Sequence, residues 1–134
     1  MNKIRTLLKD LDNLNLPEGS FVIGGSGPMG IRDLREVDDL DVIVKKEVFD
    51  KLKRESRQDT SGHKYGHLEF GEIEIGYTWQ DSEEKAIKVI NDSELIEGYP
   101  FAKFKYVVEW KKEMNRDKDQ KDIKLISEYL DHQK

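Results

Sequence analysis

A short apolar run, Phe21-Val22-Ile23, ends in Gly24-Gly25-Ser26, and twelve residues later a second apolar run carries acids at alternate positions, Asp39-Leu40-Asp41-Val42-Ile43-Val44. No other stretch limits the fold so tightly. Side chains two apart on a strand project to the same face, so Asp39 and Asp41 point one way while Leu40 and Val42 point the other. Twelve residues suffice for a short helix and a return to a neighbouring strand, which lets the glycine turn and the acid pair meet.

The chain has 134 residues, a length that predicts one domain over 1–134 with a core of its own. It is 38% charged and 36% hydrophobic with a mean hydropathy of -0.79. Disorder is nevertheless not expected, because the apolar residues fall in periodic blocks. There are no cysteines, which excludes disulfides and thiolate metal sites. No apolar run reads as a signal peptide or as the ~20 residues of a membrane span, so the expected setting is the cytoplasm. The net charge of -5 is unevenly spread: residues 62–100 hold three basic side chains against nine acids, and residues 101–124 hold eight against five. A basic C-terminal third suits phosphates, although charge runs of this kind are also ordinary solvated helix faces.

In chain order, Ile4, Leu7, Leu8, Leu11 and Leu14 predict a helix from Met1 to Asn15, broken by Leu16-Pro17-Glu18-Gly19. A buried strand follows at Phe21 to Ile23, with Pro28 able to open a short helix after the glycine turn. Arg32 to Asp38 reads as a polar connection to a strand over Asp39 to Val44, and Lys45 to Glu55 as a helix packing through Val48, Phe49 and Leu52. After a polar loop at Ser56 to Gly66, strands over Tyr65 to Phe70 and Glu72 to Trp79 form a hairpin at Gly71. Asp81 to Ile90 reads as helical, Asn91 to Pro100 as irregular with a short strand at its end, and two helices divided near Asn115-Arg116-Asp117 close the chain.

Gly24-Gly25-Ser26 at a strand end offers unhindered N–H groups and a hydroxyl, an arrangement that binds phosphate oxygens at a helix N-terminus, while by itself it is also simply a turn. Mg²⁺ takes oxygen ligands and is held by one or two carboxylates together with substrate phosphates. A pair of such ions generally wants a third acid, and Glu72 and Glu74 alternate with Ile73 and Ile75 on one face. His63 and His67 give no zinc spacing, Trp79 and Trp110 read as core aromatics, and Arg32 and Arg35 stand just ahead of the acid pair, within reach of a phosphate.

Gly24-Gly25-Ser26, then Asp39-Leu40-Asp41-Val42, then an acid on a later strand resembles the nucleotidyltransferase superfamily that includes DNA polymerase beta. Downstream, Lys111 and Arg116-Asp117-Lys118-Asp119-Gln120-Lys121-Asp122-Ile123 resemble the C-terminal helical motif of small bacterial and archaeal nucleotidyltransferases, including the abortive-infection type toxins. The resemblance spans about Phe21 to Leu130. It implies an α+β fold, a small mixed sheet flanked by helices. It also implies that Gly24, Gly25 and Ser26 bind a nucleoside triphosphate, and that Asp39, Asp41 and Glu74 are catalytic and ligate Mg²⁺ or Mn²⁺. Lys111 and Lys118 would approach the phosphates, with Asp119 and Asp122 organising that basic surface. The chain departs from the pattern in the glycines and proline of Gly27-Pro28-Met29-Gly30 and in a Glu where many relatives have Asp.

The activity expected is transfer of a nucleoside monophosphate to an acceptor hydroxyl on RNA such as tRNA, on a protein or on a small molecule. With little room for a separate recognition domain, the basic C-terminal helices, a partner subunit or a large substrate would supply specificity, and a homo-oligomer is a further expected partner. The alternatives are a nucleotide-binding or regulatory protein without turnover and one half of a toxin–antitoxin pair.

Overall fold

The computed structural model describes residues 2–133. In chain order the elements are α1 (Ile4–Asp12), β1 (Phe21–Gly24), α2 (Gly27–Gly30), β2 (Leu40–Val44), α3 (Lys46–Ser56), β3 (Leu68–Phe70), β4 (Ile73–Gly76), α4 (Glu83–Asn91), β5 (Glu94–Ile96), β6 (Tyr99–Phe101), α5 (Phe104–Met114) and α6 (Asp117–His132). The strands form one mixed sheet in the order β3-β4-β2-β1-β6-β5. β1 is antiparallel to β2 and parallel to β6, and β2 is parallel to β4. This is the α+β arrangement expected, a mixed sheet flanked by helices.

The two-residue period of the strands divides the core in two. Leu40, Val42, Val44, Ile73 and Ile75 face one way, against Ile4, Leu7, Leu8 and Leu11 of α1 and Phe49 and Leu52 of α3. Val22 and Ile43 face the other way, among Val89 and Ile90 of α4, Val107 of α5 and Ile126 of α6. Gly24 at the C-terminal end of β1 and Asp41 near the start of β2 line a cleft together with Lys111 of α5 and Asp122 of α6.

Several boundaries differ from those read in the sequence. Met1 lies outside the described residues, and α1 stops at Asp12 because Asn15 takes a left-handed φ of 51° ahead of Leu16-Pro17. Its start is held by Asn2, whose side chain accepts from the Ile4 N–H and donates to the Gly30 carbonyl. β2 begins at Leu40, leaving Asp39 just outside the strand. The segment from Arg32 to Asp38 is not merely a polar connection, since Val37 is fully buried and a Cβ on Gly30 would run into it. That contact explains a glycine at the end of α2. Nor is 91–100 irregular: β5 and β6 form a hairpin whose turn residues, Glu97 and Gly98, both have positive φ, the backbone twist that suits a two-residue connection.

Candidate functional site

Acids stand side by side across the face of the sheet that looks toward α5 and α6. Gly24 of β1 pairs with Asp41 of β2, Asp41 with Glu74 of β4, and Glu74 with Glu69 of β3. Like charges directly opposite each other weaken a sheet, so the row costs the fold stability. Between it and the α5–α6 corner lies a cleft of about 580 Å³.

Eight of the residues singled out in the sequence line this cleft: Gly24, Gly25, Ser26, Asp39, Asp41 and Glu74 on the sheet side, Lys111 and Lys118 on the helix side. Glu72, the other candidate for a third acid, sits in the β3–β4 turn with its carboxylate 3.6 Å from Lys3. Gly25 is the closest point between turn and acids. It has a left-handed φ of 56°, and a Cβ there would strike the Asp41 carboxylate, so only glycine lets the turn close over that group. Among the described residues no group engages the N–H of Gly25 or Ser26, or the Ser26 hydroxyl. α2, at four residues, is too short to add much of a helix dipole, and its residues are buried. What the turn offers an anion is therefore its free N–H groups rather than a helix dipole.

The electrostatics follow from burial first and from crowding second. Burial pushes the Asp41 carboxyl up to about 7, helped by a hydrogen bond shared with Glu74 and by the charges of Glu74 and Asp39, while Lys111 pulls it down. Asp39 is raised as well, by burial first and then by Glu74, Asp38 and Glu72, with Arg35 opposing.

The facing wall is cationic and braced from behind. Lys111 is only 7% exposed, and its Nζ lies 2.9 Å from Asp122 and 3.8 Å from Asp119. Arg35 reaches the same Asp122 carboxylate at 2.6 Å. The fully buried Asp119 accepts from the Arg116 backbone N–H and guanidinium, a hydrogen bond that holds its carboxyl below the usual range. Asp119 and Asp122 thus fix three cations, Lys111, Arg35 and Arg116. Lys118 lines the rim and makes no ion pair among the described residues.

Other lining residues were not assigned a role from the sequence. Trp79 and Trp110 pack ring to ring at 4.8 Å and line the cleft as well as the core. Arg116 joins through the turn after α5, and His67 from just ahead of β3, on the same side as Glu69 two residues later. Of the two arginines ahead of the acid pair only Arg35 faces the cleft. Arg32 turns away to pair with Glu94 and lies 4.3 Å from the Phe104 ring centroid. No protein-family model, curated protein or solved structure matches this chain, so what the cleft does has to follow from its own geometry.

Proposed function

We propose that the chain is a metal-dependent nucleotidyltransferase, moving a nucleoside monophosphate from a nucleoside triphosphate to an acceptor hydroxyl with release of pyrophosphate. The observation that carries this reading is the closure of Gly25 over Asp41, which brings free backbone donors and a carboxyl cluster together opposite a cationic wall.

The donor set fits a hard divalent ion. Asp39, Asp41 and Glu74 offer oxygen only, and burial followed by the neighbouring carboxylates raises Asp39 and Asp41 against the pull of Arg35 and Lys111. These three would hold Mg²⁺ or Mn²⁺. Bound there, such an ion neutralises phosphate charge and favours in-line attack.

The chain's own groups do the rest. The Gly25 and Ser26 N–H groups and the Ser26 hydroxyl donate to phosphate oxygens, while Lys111, steadied by Asp122, and Lys118 approach from the other wall. The acceptor oxygen attacks the α phosphorus, and the bond from that phosphorus to the bridging oxygen breaks as pyrophosphate leaves. The hydroxyl proton passes to Asp41 or Glu74. Positioning and charge neutralisation supply most of the rate. The exposed Lys118, Lys121 and Lys124 on the first half of α6 favour a polyanionic acceptor such as an RNA 3′ end over a neutral small molecule.

The test is incubation of the protein with each labelled nucleoside triphosphate, Mg²⁺ or Mn²⁺, and total RNA or lysate. Label is expected in an RNA or protein band, falling by roughly 10²-fold or more in the Asp39→Ala/Asp41→Ala variant. Transfer unchanged in that variant sinks the proposal. Metal-dependent nucleotide binding without transfer replaces it with a regulatory nucleotide-binding role.

A further inference from the structure

We propose that His67, Glu69 and Glu74 form a second cation site at the mouth of the cleft, selective for a divalent first-row transition ion such as Zn²⁺ over Mg²⁺. It shares only Glu74 with the transferase reading and does not depend on turnover.

The strand pattern builds it. His67 immediately precedes β3, two residues before Glu69, and Glu69 stands opposite Glu74 in the β3–β4 ladder. The three side chains therefore meet on one face, with His67 Nε2 3.4 Å from a Glu69 oxygen and 3.8 Å from a Glu74 oxygen. One ligand atom from each lies within 4.8 Å of the others. Ligand atoms about 2.1 Å from a tetrahedral ion stand about 3.4 Å apart, so the set needs only a small rotation of Glu69 to close. Glu69 is free to make it, with a side chain 66% exposed, whereas that of His67 is 25% exposed and its ring packs on His63 at 4.8 Å.

Charge supplies a second argument. Two glutamates directly opposite in a ladder repel, and among the described residues neither is paired with a lysine or arginine. The imidazole decides which ion would offset them. Mg²⁺ takes oxygen donors, whereas nitrogen ligation favours zinc and its late first-row neighbours. The Asp39–Asp41 pair, with no nitrogen donor beside it, keeps the opposite preference.

The experiment is calorimetric titration of the full chain with Zn²⁺, and separately with Mg²⁺, in the absence of nucleotide. One Zn²⁺ per chain is expected. His67→Ala and Glu69→Gln should each weaken it by roughly tenfold or more, while Asp39→Ala/Asp41→Ala leaves it within about threefold and His67→Ala leaves Mg²⁺ binding unchanged. Circular dichroism checks that each variant is folded, and the surface change Glu69→Gln keeps the test open should His67→Ala fail to fold. Zn²⁺ binding that is equal in wild type and both variants, or lost with the aspartate pair instead, overturns the site. His67-dependent Zn²⁺ binding in a protein that transfers no nucleotide would leave this site standing and remove the transferase reading.

Discussion

Asp41 carries opposing demands. Burial, the hydrogen bond shared with Glu74 and the charges of Glu74 and Asp39 hold its carboxyl at about 7 against an ordinary 3.8. A raised carboxyl favours the protonated form in the fold, so the unfolded chain gives up this proton first as pH rises. Its penalty is absent below the ordinary value, grows by up to about 1.4 kcal/mol per pH unit, and is complete near pH 7. The metal-free protein should therefore lose melting temperature between pH 4.5 and 7.5. Asp41→Asn, which removes the charge, should melt higher than wild type at pH 7.5 and show a flatter pH profile. Thermal unfolding across that range checks both, and an unchanged slope in the variant would mean the strain lies elsewhere. At this scale the sequence was informative where residues are neighbours on a strand–turn–strand unit: Gly25, Ser26, Asp39 and Asp41 meet because β1 pairs with β2 in register. The β3–β4 hairpin was expected but its register was not: the turn takes up both Gly71 and Glu72, which puts Glu69 opposite Glu74 and brings His67 to them.

Among the elements, the corner between α5 and α6 is the one that the cleft depends on most. Asn115 takes a left-handed φ of 49° to end α5, and Arg116 opens α6 in a reciprocal cap with Asp119. That tight turn folds α6 back so that Asp122 meets Lys111 across the helix pair. The Asp122→Ala change leaves Lys111 buried without its nearest partner and frees Arg35, which should cost about 3–5 kcal/mol. Urea unfolding should show it as a lower midpoint with an unchanged slope. A loss under about 1 kcal/mol would mean the lysine simply swings out to water. Asn115-Arg116-Asp117 made this corner readable, because asparagine and aspartate are residues that end and begin helices. The β5–β6 hairpin was harder to read: Glu-Gly is a weaker turn signal than Asn-Gly, and Pro100 sits inside the second strand.

On the scale of the whole molecule, the cleft joins parts that are far apart in the chain. The β1–β2 unit supplies the glycine turn, two acids and Arg35, the β3–β4 region supplies Glu74 and His67, and α5–α6 supplies Lys111, Arg116 and Lys118. Strand order explains why the sequence indicated the members of this set and not its plan. β4 lies parallel to β2, and β6 lies parallel to β1 after a long excursion through α4, pairings that no local pattern encodes. A ligand touching all three parts should stabilise the molecule as a unit. Nucleoside triphosphate with Mg²⁺, at about a hundred times its dissociation constant, should add about 2.7 kcal/mol, seen as a rise of several degrees in melting temperature. Either component without the other should do much less, because triphosphate unaccompanied by the ion meets the acid row, and the ion without triphosphate leaves the Gly25–Ser26 donors unused. Thermal shift with a non-hydrolysable analogue measures this without turnover. The same combined shift in Asp39→Ala/Asp41→Ala would place the nucleotide away from the sheet, and its loss there would tie phosphate binding to the acids that face Gly25.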